Sequence, residues 1–193
     1  DGINISGNAI TKDATWQALD EDFVIGQSLT IGAVGGATLT LSDGVVLYME
    51  SSTGIDIGTS QDGALMTDGH TLGVSITSAS VIPSPGDWVG LEFGSKDLGS
   101  ILRGLDIGYG GTSSALIELS SASISIFDSH VHHSETNGLW ASTYSFPLVQ
   151  DSMFSDNYES GLDLHNSGLN DTYTDSFGAA EPSFQGNWLV DNC

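Results

Sequence analysis

Basic residues are almost missing from this chain of 193 residues: Lys12, Lys96 and Arg103 stand against 25 acidic residues, for a formal net charge of −22. That excludes nucleic acid as a partner, because holding phosphates takes clustered Lys and Arg. At most three carboxylates can meet a fixed cation, so the others are solvated, screened by salt or bound to cations. Calcium suits such a surface, since its ligands are carboxylate and carbonyl oxygens. Cysteine is confined to Cys193, so no disulfide can close within the chain, and a bond to another chain is the one open to it. No apolar run is long enough to span a bilayer, and no signal peptide is visible. Proline is scarce, at four residues, and no amphipathic helix of ten or more residues stands out. The best helical candidate, residues 15–23, is placed to cap the first rung of whatever follows.

What is present is repetition. Residues 126–134 (IFDSHVHHS), 149–157 (VQDSMFSDN) and 184–192 (FQGNWLVDN) can be laid over one another, at offsets of 23 and then 35 residues. Apolar residues fall in shared columns, Ile126 with Val149 and Phe184, then Val131 with Phe154 and Leu189. A second motif keeps the 23-residue step, as Gly138-Leu139-Trp140-Ala141 and Gly161-Leu162-Asp163-Leu164. Self-similarity at this period marks a solenoid, in which no single repeat can bury its own apolar face. Short bursts of alternating apolar residues, such as ATLTL at 37–41 and GVSIT at 73–77, are separated by Gly, Ser, Asp and Asn. This is strand and corner punctuation.

The expected fold is all-β, a parallel β-helix with two or three short strands per rung of about 22–26 residues. It forms one domain over 1–193, with an N-terminal cap or first rung in 1–27. The surplus in the longer step reads as an inserted corner loop at 167–183, and residues 80–87, with Pro83 and Pro85, read as another. After Asn192 the C-terminal end shows no cap, which leaves strand edges open to another rung or another molecule.

The stretch 36–47 (GATLTLSDGVVL) resembles the opening rung of secreted bacterial right-handed parallel β-helix proteins, the pectate-lyase-like superfamily. Gly86-Asp87-Trp88-Val89-Gly90-Leu91-Glu92-Phe93 resembles their G-x-W-x-G-aliphatic-x-F rung, and Ile107-Gly108-Tyr109-Gly110-Gly111 follows in the expected order. The resemblance covers residues 10–192 and implies a right-handed coil and an extracellular or cell-surface location. The sequons at Asn4 and Asn170 are compatible with export. It carries over no catalytic residue. Lyases of the superfamily abstract a proton with a basic residue, and here Arg103 is the only arginine and has no basic neighbours in sequence. The aspartate cluster of the polygalacturonase-like hydrolases cannot be assembled either.

Two groups of residues carry possible chemistry. If Leu91, Ile117, Leu139 and Leu162 line the interior, then Glu92, Glu118, Trp140 and Asp163 share one outward column. Trp140 separates Asp163 from the rest, leaving Glu92 and Glu118 as the candidate metal pair, for Ca2+. The same pair could act as a glycosidase acid and base, and solvated surface is the plainest reading of all. Around an inward Val131, His130 and His132 face the same way, with Asp106 one rung below His130. Imidazole and carboxylate would suit a transition metal, although ordinary surface histidines explain the pattern more simply. His165 and the asparagines Asn137, Asn157, Asn166, Asn187 and Asn192 read as corner residues or short ladders. Hydroxyl runs at Thr38/Thr40 and Ser123/Ser125 invite an ice-binding reading but do not persist at one column.

The function expected from these features is that of a non-catalytic extracellular structural or adhesive module, a surface stalk or filament subunit. It would self-associate, or join other surface proteins, through rung ends and acidic faces. The alternative is a carbohydrate-active β-helix, a hydrolase, lyase or sugar-binding module acting on polysaccharide.

Overall fold

The alternation in ATLTLS becomes the strand Ala37–Ser42, in which Ala37, Leu39 and Leu41 are fully buried and the residues between them are half-buried. A strand of this kind has one dry face and needs a partner above and below to satisfy its backbone. The computed structural model describes residues 2–142, 144–165 and 188–190. Among these residues the fold is an all-β parallel solenoid of three parallel sheets, with about six turns of ~24 residues and no helix. The expected parallel β-helix architecture is the observed one.

The first rung is β1 (Ile3–Ile5), β2 (Ala9–Ile10) and β3 (Ala14–Trp16), and the second β4 (Phe23–Ile25), β5 (Leu29–Ile31) and β6 (Ala37–Ser42). The third is β7 (Val46–Met49), β8 (Gly54–Ile57) and β9 (Gly63–Asp68); the fourth is β10 (Val74–Ser78), β11 (Gly90–Phe93) and β12 (Ile101–Arg103). Then come β13 (Leu105–Gly108), β14 (Ala115–Ser120) and β15 (Ser125–Phe127), followed by β16 (His130–His132), β17 (Asn137–Ser142) and β18 (Leu148–Gln150). Strands β19 (Met153–Ser155), β20 (Leu162–His165) and β21 (Trp188–Val190) complete the described residues. Every third strand up to β19 joins the same sheet; β21 then pairs beside β19.

Register puts like on like. Leu29, Ile55, Leu91, Ile117 and Leu139 form one column, and Ile31, Ile57, Phe93, Leu119 and Ala141 its neighbour. All ten are at most 1% exposed. Columns read from the repeats are present where they can be followed: Val131 pairs with Phe154 and Phe154 with Leu189, while Ile126 pairs with Val149; Phe184 lies outside the described residues. Burying one such side chain contributes roughly 1.5–3 kcal/mol, and a column repeats that gain at every rung.

The corners explain the recurring Asp-Ser. Gly104, Asp128 and Asp151 follow strands in register and have φ of 58°, 51° and 51°, the left-handed region that Gly and Asp tolerate. At Gly104 a Cβ would also lie 1.9 Å from the Gly69 carbonyl oxygen, so no side chain fits there. The serine that follows each aspartate ties the rungs together. Ser129 Oγ accepts the Leu105 N–H at 3.1 Å, and Ser152 Oγ accepts the Ser129 N–H at 3.2 Å. Buried backbone donors at the bend are thereby satisfied.

One expectation is corrected. Residues 15–23 contain no helix; Ala14–Trp16 and Phe23–Ile25 are strands, and Trp16 stacks on Phe23 with ring centroids 5.1 Å apart. A helix that short is marginal alone, whereas pairing with β6 and β7 supplies both hydrogen bonds and burial. Rungs run to ~24 residues, as expected, with longer steps in places: Leu47 lies 29 residues before its partner Ile76, and Ile76 lies 31 before Ile107. The surplus is accommodated in loops outside the ladder. One of them, at 70–73, is held by Asp43, whose carboxylate accepts the N–H groups of His70, Thr71, Leu72 and Gly73. Another is the expected loop at 80–87, where Asp87 accepts from Ser78 Oγ at 2.6 Å and from the Ser84 N–H at 2.9 Å. The expected loop at 167–183, together with Asn166, Asn187, Asn192, Cys193 and the end after Asn192, lies outside the described residues.

Truncating a column residue should therefore cost far more than truncating a loop residue. Leu47→Ala is expected to lower stability by about 2–5 kcal/mol. Val81→Ala, at a position 98% exposed, should change it by less than about 0.5 kcal/mol. Urea unfolding followed by circular dichroism checks this, and equal effects would contradict the stacked core.

Candidate functional site

The middle sheet exposes one residue per strand between its two buried columns. Because the buried neighbours are in register, the outward residues are as well: Thr30, Asp56, Glu92, Glu118, Trp140 and Asp163 pair in succession. The column expected from sequence is thus assembled in the expected order, with Trp140 between Glu118 and Asp163. Asp56 was missed. It sits 36 residues before Glu92, across the longest described loop, and its signal was the shared pattern Gly-apolar-acidic-apolar in GIDI, GLEF and GLDL.

Three carboxylates on adjacent strands are spaced at ~4.8 Å along the sheet, close enough to repel. They line a small recess of about 50 Å³ together with Val89, Gly90 and Ser113. Burial, and then the charges of Asp56 and Glu118, hold the Glu92 carboxyl above its ordinary range, and burial also raises Asp56. Among the described residues, no ion pair involves these acids. Arg103 pairs instead with Asp128 at 3.1 Å and lies over the Phe127 ring, while Lys96 donates to the Ser60 carbonyl. Neutralisation of the ladder is left to protons and mobile cations. A space of this size holds an ion with a water or two, each water occupying ~30 Å³, and is far below the ~300 Å³ at which organic ligand pockets begin.

The other readings separate clearly. Asp106 pairs with His130 across adjacent strands, as expected, and the ring of His132 joins them. Among the described residues, this trio is the group whose ligand atoms all lie within 4.8 Å of one another; the acids of the ladder are less closely gathered. Thr40 pairs with Thr15 on one side but with Met66 on the other, and Thr38 pairs with Ala64, so their hydroxyl ladder stops after two rungs. Asn157 is buried and accepts the Ser134 N–H, and Asn137 donates to the Ser114 carbonyl; both tie rungs together. His165 ends β20 rather than occupying a corner, and it stacks against Trp140 at 6.5 Å.

Comparison with known proteins finds no matching family model, curated protein or solved structure. The class that fold and site define is therefore architectural: a parallel β-solenoid carrying an acidic ladder on one face.

The ladder has a measurable pH signature. A carboxyl whose pKa is raised on folding binds its proton more tightly when folded, so stability falls as pH climbs from the ordinary carboxylate value of ~4.3 through the raised one, and the penalty is complete above it. Glu92→Gln removes that penalty. It is expected to raise the thermal midpoint at neutral pH and low salt by roughly 2–4 °C, and to flatten the decline across that interval. Calcium should raise the wild-type midpoint more than that of Glu92→Gln. Identical profiles for the two proteins would show that the acids do not interact.

Proposed function

We propose that the chain is a non-catalytic extracellular structural or adhesive module, a surface stalk or filament subunit in which divalent cations on the acidic ladder and neighbouring faces mediate assembly. The observation that carries this reading is the unbroken run of paired columns from Leu29 to Leu139, flanked by carboxylates with no fixed cation beside them. Continuous in-register stacking makes a stiff rod, and a net charge of −22 makes two such rods repel unless cations lie between them. Calcium is the suited ion, because the ladder offers oxygen ligands alone and leaves room for water in the coordination shell. Repeated head-to-tail contacts of identical units produce open fibres when the rotation does not close. The resemblance to secreted parallel β-helix proteins supports placement outside the cell.

A carbohydrate-active role has one observation in its favour, the half-buried Trp140 beside Glu118, since an aromatic face next to an acid can stack on a sugar ring. The small recess and the engagement of Arg103 with Asp128 weigh against hydrolysis and against lyase chemistry.

Light scattering and electron microscopy in calcium, then in chelator, test the assembly. Rods or larger particles are expected with calcium and dispersal without it; particles of one small size under both conditions would overturn the proposal. Turnover of any member of a polysaccharide panel, abolished by Glu118→Gln, would establish the carbohydrate reading in its place.

A further inference from the structure

The sheet built from β7, β10, β13, β16 and β19 carries a second cluster whose chemistry differs from that of the acidic ladder. Asp106 Oδ1 lies 3.2 Å from His130 Nδ1 and 3.5 Å from His132 Nε2. A carboxylate oxygen and two imidazole nitrogens all bound at ~2.0–2.1 Å to one tetrahedral metal would be about 3.3 Å apart. We infer that Asp106, His130 and His132 form a binding site for a first-row divalent transition metal of the zinc class, with its remaining coordination positions open to solvent.

The arrangement around the trio matches what such a site requires. A coordinated imidazole needs a partner for its other nitrogen, which fixes tautomer and ring direction. Here His130 Nε2 lies 2.9 Å from Ser155 Oγ, and His132 Nδ1 lies 2.8 Å from His133 Nδ1. With a metal on His130 Nδ1 and His132 Nε2, the distal nitrogens carry the protons. Each then donates, one to the serine hydroxyl and the other to a neutral His133. Tyr109 stacks on His133 at 4.8 Å and meets the edge of His132 at 5.4 Å, holding both rings.

The backbone makes room for this geometry. Gly108 is the register partner of His132, and a Cβ there would fall 2.3 Å from His132 Cε1, so the ring lies over a glycine to approach Asp106. His132 is nearly buried while the Asp106 side chain is 57% exposed, which leaves an open side. That side adjoins a recess of about 410 Å³, where Asp151 adds negative charge favourable to a cation, the charge of Asp128 being offset by Arg103. Two nitrogens and one oxygen select a borderline metal over calcium, whereas the oxygen-only ladder has the opposite preference.

Titration of the untagged chain with Zn2+ or Co2+ in excess calcium and moderate salt tests the site, because calcium occupies the oxygen-only positions first. One equivalent is expected to bind, with Co2+ developing visible absorption. Asp106→Asn and His130→Ala should each weaken binding by at least about 100-fold, and Ser155→Ala by about 10-fold. Glu92→Gln should leave it unchanged, and circular dichroism on each variant reports that the solenoid is intact. No stoichiometric binding in calcium, or binding unaffected by Asp106→Asn and His130→Ala in folded protein, would overturn the assignment. Neither outcome depends on whether the chain assembles into rods.

Discussion

In-register parallel stacking is the constraint on which the rest of this molecule depends. Each side chain has as its nearest neighbours the residues at the same position one rung above and one below. Where that position is apolar, the result is a dry column such as Ile31, Ile57, Phe93, Leu119 and Ala141. Where it is acidic, the same rule forces Asp56, Glu92 and Glu118 together against their mutual repulsion. Hydrophobic stabilisation and electrostatic strain thus come from one geometric fact, and the buried columns on either side keep the acids from moving apart.

Corners allow that register to survive uneven chain lengths. Residues in left-handed conformation recur at one bend as Gly104, Asp128 and Asp151, and a serine beside each aspartate satisfies the buried N–H of the preceding rung. Extra residues leave the ladder as loops and are pinned by single acids, Asp43 under one loop and Asp87 within another. The acidic composition therefore serves two purposes. Some carboxylates hold backbone donors at loops; others are gathered on flat faces with nothing but solvent and ions to balance them.

The two candidate sites follow from which sheet a residue occupies. The middle sheet presents oxygen ligands in a ladder with a small recess, suited to a hard, hydrated cation. The neighbouring sheet presents a close group of two imidazoles and a carboxylate, suited to a borderline metal. Neither needs a deep cavity, consistent with a fold whose interior is filled by its own columns.

Much of this was legible beforehand. The period-two alternation in ATLTLS and GLEF set which side chains face inward, and the 23-residue repeat placed Val131 over Phe154, because stacking rewards like residues at equal steps. The pairing of Glu92 with Glu118 and of Asp106 with His130 followed from the same counting. The best helical candidate, 15–23, holds strands instead, because composition alone does not show that β6 and β7 wait beside those residues to pair with them. Asp56 joined the ladder unannounced, since an irregular loop between it and Glu92 breaks the count. The swing of His132 over Gly108 towards Asp106 was likewise invisible, because ring direction depends on space left by a neighbouring rung. Sequence by itself determined the repeat, the inward face and the acidic surplus, all of which are local or periodic. Tertiary structure decided which distant charges meet, since that depends on how corners of unequal length bring the rungs back into register.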